Sequence, residues 1–372
     1  MNIDEVRTKT LAFIANQKLE NKGIGHYRYS SAPSSSSPSL YSSCYAVMTR
    51  SLYNDLGTLS DGERKEWIAY FNRHQDDDGL FRDPVIFGRG WYEGDPFWCG
   101  RPHLTCHVLT ALACLGGVAE KPFALARDYA GKGALKHWLE SRQWRERIGT
   151  VGNEIMNLGN ILQYARDFHE DRRAGELVEE MLNWLDTHHL NKTTGLWGNA
   201  DRSDPRQLSN AVQAAYHWWA VYFYDRHPIP CLEQAVDSVL ATQNPAGGFG
   251  WGVHNPAEPY KSSACEDIDS IDPLCRMAAL TDYRRDDIFR AIEKAVPWVL
   301  TNQMPDGGFV FYRDRAFEYG HPALTGEINS GAMFPTWFRT LSLAIACQSG
   351  ARVSGSRYPW HFVHCPGYQF FP

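Results

Sequence analysis

One short pattern returns six times along this chain and limits what it can fold into: a helical last turn that reads aromatic, aliphatic, two or three small or polar residues, then Gln. The clearest copies are Trp138–Gln143 and Trp298–Gln303. Tyr70–Gln75 and Ser238–Gln243 follow the same frame, Trp184–His189 substitutes His for Gln, and Phe13–Gln17 is a degenerate first copy. The copies end roughly 46 to 68 residues apart, room for a helix pair and its loops. Units of this kind cannot bury their apolar faces alone and must stack on one another. After most copies a Gly-rich turn ends in an aromatic, as in Asp78–Phe81, Thr194–Trp197, Ala246–Phe249 and Asp306–Phe309. Glycine supplies the positive φ that stops the helix, and the aromatic pins the turn onto its end.

A second helix follows in each unit, expected at about Leu40–Leu56, His103–Gly116, Gly152–Phe168, Leu208–Tyr224, Ala264–Leu280 and Glu327–Cys347. These are apolar on most faces, as helices buried on both sides are, whereas the Gln-ended helices carry one charged side and belong outside. An outer helix at the N-terminus and an inner one near the C-terminus imply that the ends pair. The expected fold is all-α: a single (α/α)6 toroid of six inner and six outer helices over residues 1–351. An aromatic-rich tail, 352–372, would fold over one mouth. Length alone would suggest two or three domains, but a closed repeat overrides that prior.

A net charge of −6 excludes a polybasic nucleic-acid binder. The longest apolar run, Tyr216–Tyr224, is half the length of a membrane span, which leaves peripheral membrane contact as the only membrane role expected. With no basic stretch leading into an apolar run at the N-terminus, the expected address is cytoplasmic. The nine Cys form no C-x-x-C pair and are expected reduced and mostly buried. Thirteen Trp, 18 Tyr and 18 Phe exceed what the repeated slots need, so the remainder should line a pocket.

The Gln and Gly-aromatic turn that closes each outer helix resembles the QW-type repeat of squalene-hopene cyclases and protein prenyltransferase β-subunits, the terpenoid cyclase/prenyltransferase toroids. A second likeness bears on chemistry. The fifth inner helix opens Cys265-Glu266-Asp267-Ile268-Asp269-Ser270-Ile271-Asp272, similar to the Asp-x-Asp-Asp-Thr motif of class II terpenoid cyclases. The resemblance implies a terpene cyclase in which Asp269, matching the middle Asp, starts cyclisation of an isoprenoid by protonation, with Asp267 beside it; Ser270 stands where the family has its last Asp. No cofactor is assigned, although a diphosphate substrate would suggest Mg2+. A prenyltransferase-like zinc site from Asp267, Cys265 or Cys275 and a His does not fit the family's spacing, and no metal ligands are assigned. His361-x-x-His364-Cys365 has ligand types but no second pair.

Four carboxylates within seven residues repel one another, which keeps one protonated as a general acid requires, while the helix N-terminus opposes this. The alternative is that Glu266 or Asp267 caps the helix and Asp272 meets an Arg. If the inner helices turn their first turns to one mouth, the site also holds Tyr45, His103 with His107, Asn153, Asn210 with Gln213, and Asn329. Glu154 and Glu327 are candidate second acids. Trp218, Trp251, Phe334 and Trp337 are candidate cation-stabilising faces. The loops Pro84–Pro102, Gly252–Ser263 and Tyr312–Gly326 would supply a lid. Two other functions suit the same fold. A carbohydrate-active glycosidase, lyase or epimerase would show an open polar groove with paired carboxylates, such as Asp269 with Glu154 or Glu327. A non-catalytic lipid- or protein-binding toroid would show acids used only as caps and ion pairs.

Overall fold

A computed structural model describes residues 2–20, 22–86 and 100–370. Six outer helices alternate with six inner ones. The outer set is α1 (Ile3–Gln17), α3 (Asp61–Asn72), α6 (Ala134–Glu140), preceded by the short α5 (Leu125–Asp128), α8 (Arg172–Leu185), α10 (Leu232–Leu240) and α12 (Arg285–Thr301). The inner set is α2 (Leu40–Leu52), α4 (Arg101–Leu115), α7 (Ile148–Phe168), α9 (Pro205–Asp225), α11 (Ala264–Leu280) and α13 (Met333–Gln348). Each inner helix packs on the next and α13 packs on α2, so the ring is closed and the chain is an all-α (α/α)6 toroid. α8 buries Ala174, Leu177, Val178, Met181 and Leu182, a stripe at helical spacing, and leaves its charged side to solvent. α4 is buried on nearly every face, as a helix between an outer layer and a core is. No helix among the described residues is long and apolar enough to cross a membrane.

The repeated Gln works as a staple. In the second unit Gln75 Nε2 donates to Gly79 O and Lys121 O, both at 2.8 Å, while its Oε1 accepts from Lys121 N. Gln243 repeats this with Gly247 O in its own turn and Ala291 O on α12. Gln303 reaches Gly307 O and, across the chain ends, Val6 O and Thr10 Oγ1 on α1. The last unit is thereby stapled to the first helix. Gly307 sits at φ +90, and a Cβ there would lie 2.2 Å from Lys9 O, so only glycine lets turn and helix approach this closely. Three copies depart from the staple: Gln17 donates to Phe13 O in its own helix and accepts from Arg28 Nε. Gln143 is exposed, beyond the end of a shortened α6, and His189 stacks on Trp144 with ring centroids 4.8 Å apart.

The sixth inner helix starts six residues later than expected. Thr325–Gly326 pair antiparallel with Phe317–Glu318, and Gly331 packs so close to Gly308 that a Cβ would meet its Cα at 2.6 Å. Asp306 holds this stretch by accepting from Ser330 Oγ and Gly331 N. The tail beyond α13 turns back across the ends of α2 and α4, burying Trp360, Cys365, Tyr368 and Phe370. The eight described cysteines are all free.

Candidate active site

A cavity of about 230 Å³ opens at the mouth formed by the N-terminal halves of the inner helices. α4 contributes His103 and His107, α7 Gly149 and Asn153, α9 Asn210, Gln213 and His217, and α11 Cys265 and Asp269. α13 adds Phe334 and Phe338, and the connections add Val253, His254, Phe311, Phe317 and Tyr319. Tyr368 of the tail lies at its base. A more open surface cleft of about 820 Å³, lined among others by Arg64, Phe168 and His361, lies at the opposite ends of α2 and α4 and holds no carboxylate among the described residues.

The α11 cluster divides its labour. Ser263 caps the helix: its Oγ accepts from Glu266 N and Glu266 Oε2 accepts from Ser263 N, a reciprocal capping box. Asp267 points away from the cavity and accepts from Phe249 N, Trp298 Nε1 and Arg339 Nη1, the last at 2.7 Å. Arg339 is itself wholly buried and donates to Val310 O, Ser262 O and Phe311 O. Asp272 pairs with Arg276, whose Nη2 donates to Phe370 O at 2.6 Å. That leaves Asp269. It lines the cavity, is 2% exposed and has no hydrogen-bond or ion-pair partner among the described residues. Burial, then the like charges of Glu266, Asp272 and Asp267, pushes its carboxyl well above the ordinary value.

Two imidazoles complement it. His107 Nδ1 donates to His103 O at 2.8 Å, and His217 Nδ1 to Gln213 O at 2.6 Å, each a carbonyl one turn back on its own helix. Because a carbonyl only accepts, each ring carries its proton on Nδ1 and leaves Nε2 as an acceptor. His107 Nε2 and Gln213 Nε2 are buried without partners. Burial holds both rings down to about 4, so both are neutral bases near pH 7. His103 bonds Tyr41 Oη at 2.6 Å, and burial, then His107 and His217, pull it well below its ordinary value. An apolar wall faces these groups: Phe311 stacks on Phe317 at 3.8 Å, and Tyr319 on Phe334 at 4.3 Å.

Other residues singled out from the sequence lie elsewhere. Glu154 is buried but pairs with Arg142 at 2.9 Å in a separate side pocket. Glu327 and Asn329 are exposed and precede α13; Asn329 bonds Asp314. No second carboxylate therefore faces Asp269 among the described residues. Trp218 packs outward on Trp197 and Trp144, and Trp251 meets Tyr260 edge-on in its loop. Tyr45 and Trp337 stack together behind His107. His103, His107, Asn210, Phe334 and Asp269 do converge. His217, His254, Phe317, Tyr319 and Tyr368 escaped the sequence reading. His217 had a usable signal, lying one turn beyond Gln213 on the same helix face, and the other four lie in the expected lid loops and tail without having been named there. Of the expected lid loops, most of Pro84–Pro102 lies outside the described residues. No group of three His, Cys, Asp or Glu able to hold a metal occurs among the described residues.

No family model and no curated relative matches the chain. Solved structures do. An unsaturated glucuronyl hydrolase from Streptococcus agalactiae aligns at 8% identity and TM-score 0.53, covering 92% of this chain and 89% of its own. An unsaturated glucuronyl hydrolase specific for heparin (11%, 0.50, 92% and 96%) and a cellobiose 2-epimerase from Bacillus thermoamylovorans (11%, 0.50, 92% and 98%) align as fully. At these identities the likeness establishes the architecture alone. The terpenoid-cyclase resemblance is corrected by it, together with the isoprenoid substrate. These three toroids, which superpose over 92% of the chain, are named for sugar chemistry, and the turn signature that carried the resemblance is a packing device, as the Gln staples make plain.

Proposed function

We propose that the protein is a carbohydrate-active enzyme that moves protons on one sugar unit, in the manner of an epimerase or isomerase. The observation that carries this reading is the meeting, in one cavity, of a buried carboxyl without a partner among the described residues, Asp269, with two neutral imidazoles whose Nε2 atoms are free for substrate. Paired carboxylates would suit glycoside hydrolysis; an acid with two bases on different helices suits removal of a C–H proton beside a carbonyl and its return to the other face. Asp269 donates to the carbonyl oxygen as charge develops there and one imidazole takes the carbon-bound proton on its Nε2; the other, once it has taken a proton from solvent on its own Nε2, delivers it to the opposite face of the enediol, while Asp269 recovers its proton from the enediol oxygen and the first ring releases its own to solvent. The carbonyl is that of the ring-opened sugar, and no external oxidant or reductant enters the balance.

The volume, below the roughly 300 Å³ typical of small-molecule pockets, suits a single ring. Asn153, Asn210 and Gln213 offer amides to hydroxyls, and the Phe311–Phe317 and Tyr319–Phe334 stacks offer an apolar wall to the C–H face. The structural neighbours that align over 92% of this chain are named for sugar substrates, and one of them is an epimerase. The test incubates the protein in D2O with neutral hexoses and reducing disaccharides, and with an unsaturated uronyl disaccharide alongside. Deuterium at the carbon next to the carbonyl, with a new epimer or ketose, is expected. Hydrolysis of the uronyl disaccharide without any carbon exchange would sink the reading.

A further inference from the structure

We propose that the carboxyl-terminal segment from Cys365 to Phe370 is the floor of the reaction cavity, with Tyr368 acting as the positioning residue for His107. An (α/α)6 ring left to itself is open at both ends. Here the tail crosses the end opposite the mouth and is bonded to four inner helices. Gln369 is fully buried; its Oε1 accepts from Trp337 Nε1 on α13 at 2.8 Å, and its Nε2 donates to Met48 O at the end of α2. Cys365 Sγ reaches Leu109 O on α4. On α11 the buried Asp272–Arg276 pair holds the last anchor: Arg276 donates to Phe370 O at 2.6 Å, and its guanidinium lies 4.2 Å over the Phe370 ring. A buried pair of this sort, spent on one main-chain carbonyl far along the sequence, is hard to account for if the tail were only a surface strap.

Between these anchors Tyr368 lines the cavity, its ring centroid 4.9 Å from His107 and 5.3 Å from Trp337. His107 is thus fixed twice: its Nδ1 by the α4 backbone, its ring plane by the tail below. The titratable groups around it are Tyr41 and Tyr45 on α2, His103 on its own helix and Tyr368 itself. None is a carboxylate, so the ring's neutrality depends on water being kept out, and the tail is what keeps it out from below. Asp272, singled out from the sequence as a candidate acid, serves in this account to latch the floor.

The inference rests on the proposed function only for its effect on turnover, and its main test needs no substrate. Full-length protein with ring-13C histidine is titrated by NMR, with His107→Gln assigning the signal, as wild type and as Tyr368→Phe, Tyr368→Ala and Gln369→Ala. Wild type and Tyr368→Phe are expected to titrate near 4, and Tyr368→Ala to move up by about one pH unit or more as water enters. A folded Tyr368→Ala whose His107 titrates as in wild type overturns the proposal. Should the alanine variants not fold, hydrogen exchange on the wild type decides: amides 367–370 are expected to be protected like those of the inner helices, and exchange at the rate of an unstructured chain overturns it. Where turnover is detected, Tyr368→Ala should lower kcat about tenfold or more with a smaller change in KM, and Tyr368→Phe should restore it. Normal NMR behaviour with no turnover of any sugar would refute the proposed function and leave the floor intact.

Discussion

Replacing Arg339 by Met tests the buried pair that joins the last two units. Both Arg339 and Asp267 are fully buried, and the guanidinium makes four hydrogen bonds: one to Asp267 and three to the carbonyls of Ser262, Val310 and Phe311. Methionine fills much of the same volume and removes all four. Asp267 keeps Phe249 N and Trp298 Nε1 but loses its counter-charge. Breaking a buried pair from one side costs about 3–5 kcal/mol, a large part of the roughly 5–15 kcal/mol that holds a domain folded. Asp267→Asn, which strands the arginine, should cost a similar amount. The double variant should cost about as much as either single one, because the second change removes a charge already left unpaired. Urea unfolding followed by tryptophan fluorescence at pH 7 gives the three values. The deficit of Arg339→Met should also shrink in acid. Burial already raises the Asp267 carboxyl, and without Arg339 it rises further, so the folded state holds a proton that the unfolded state has released. Stability then falls as pH climbs from the ordinary carboxyl value to the raised one. Single costs that simply add in the double variant, or a deficit constant in pH, would refute the account of Asp267 as a charged clamp.

Asp269→Asn should abolish turnover and stabilise the fold: a raised carboxyl pKa means that wild-type stability declines as pH rises above the ordinary carboxyl range, and a thermal-melt series against pH should show the two proteins diverging in that direction. The pH–rate profile should rise through about 4 as His107 and His217 lose their protons and fall at higher pH as Asp269 ionises; His217→Phe should lose carbon–deuterium exchange while keeping its melting temperature within a few degrees. Gln75→Ala strands Lys121 N and the carbonyls of Gly79 and Lys121, and should cost about 1–3 kcal/mol in urea unfolding. Gly307→Ala, forced into positive φ against Lys9 O, should cost at least about 1 kcal/mol by the same measurement.

The ring was legible because its signals are local. A Gln, a glycine and an aromatic at fixed spacing specify a helix end whatever surrounds it, and apolar periodicity separates α8 from α4 without any tertiary information. The acidic run of α11 was visible too, but its division was not. Glu266, Asp267, Asp269 and Asp272 lie within two helical turns, and which one caps, which one pairs and which one is left bare depends on Ser263, Arg339 and Arg276 reaching them. Arg339 lies 72 residues away from Asp267 in sequence. Glu154 shows the same limit: its helix was placed, yet a rotation about the axis turns it to Arg142 instead of the cavity.

By itself, then, the sequence determined a closed toroid of paired helices and the mouth at which chemistry could gather, because repeat stacking and helix periodicity are short-range properties. The tertiary structure decided which side chains share the cavity. Among the described residues it left Asp269 as the single carboxyl lining the cavity beside His107 and His217, and it brought Tyr368 from far along the chain beneath His107. Burial and pairing set the charge of each group, and both are fixed only when segments distant in sequence meet.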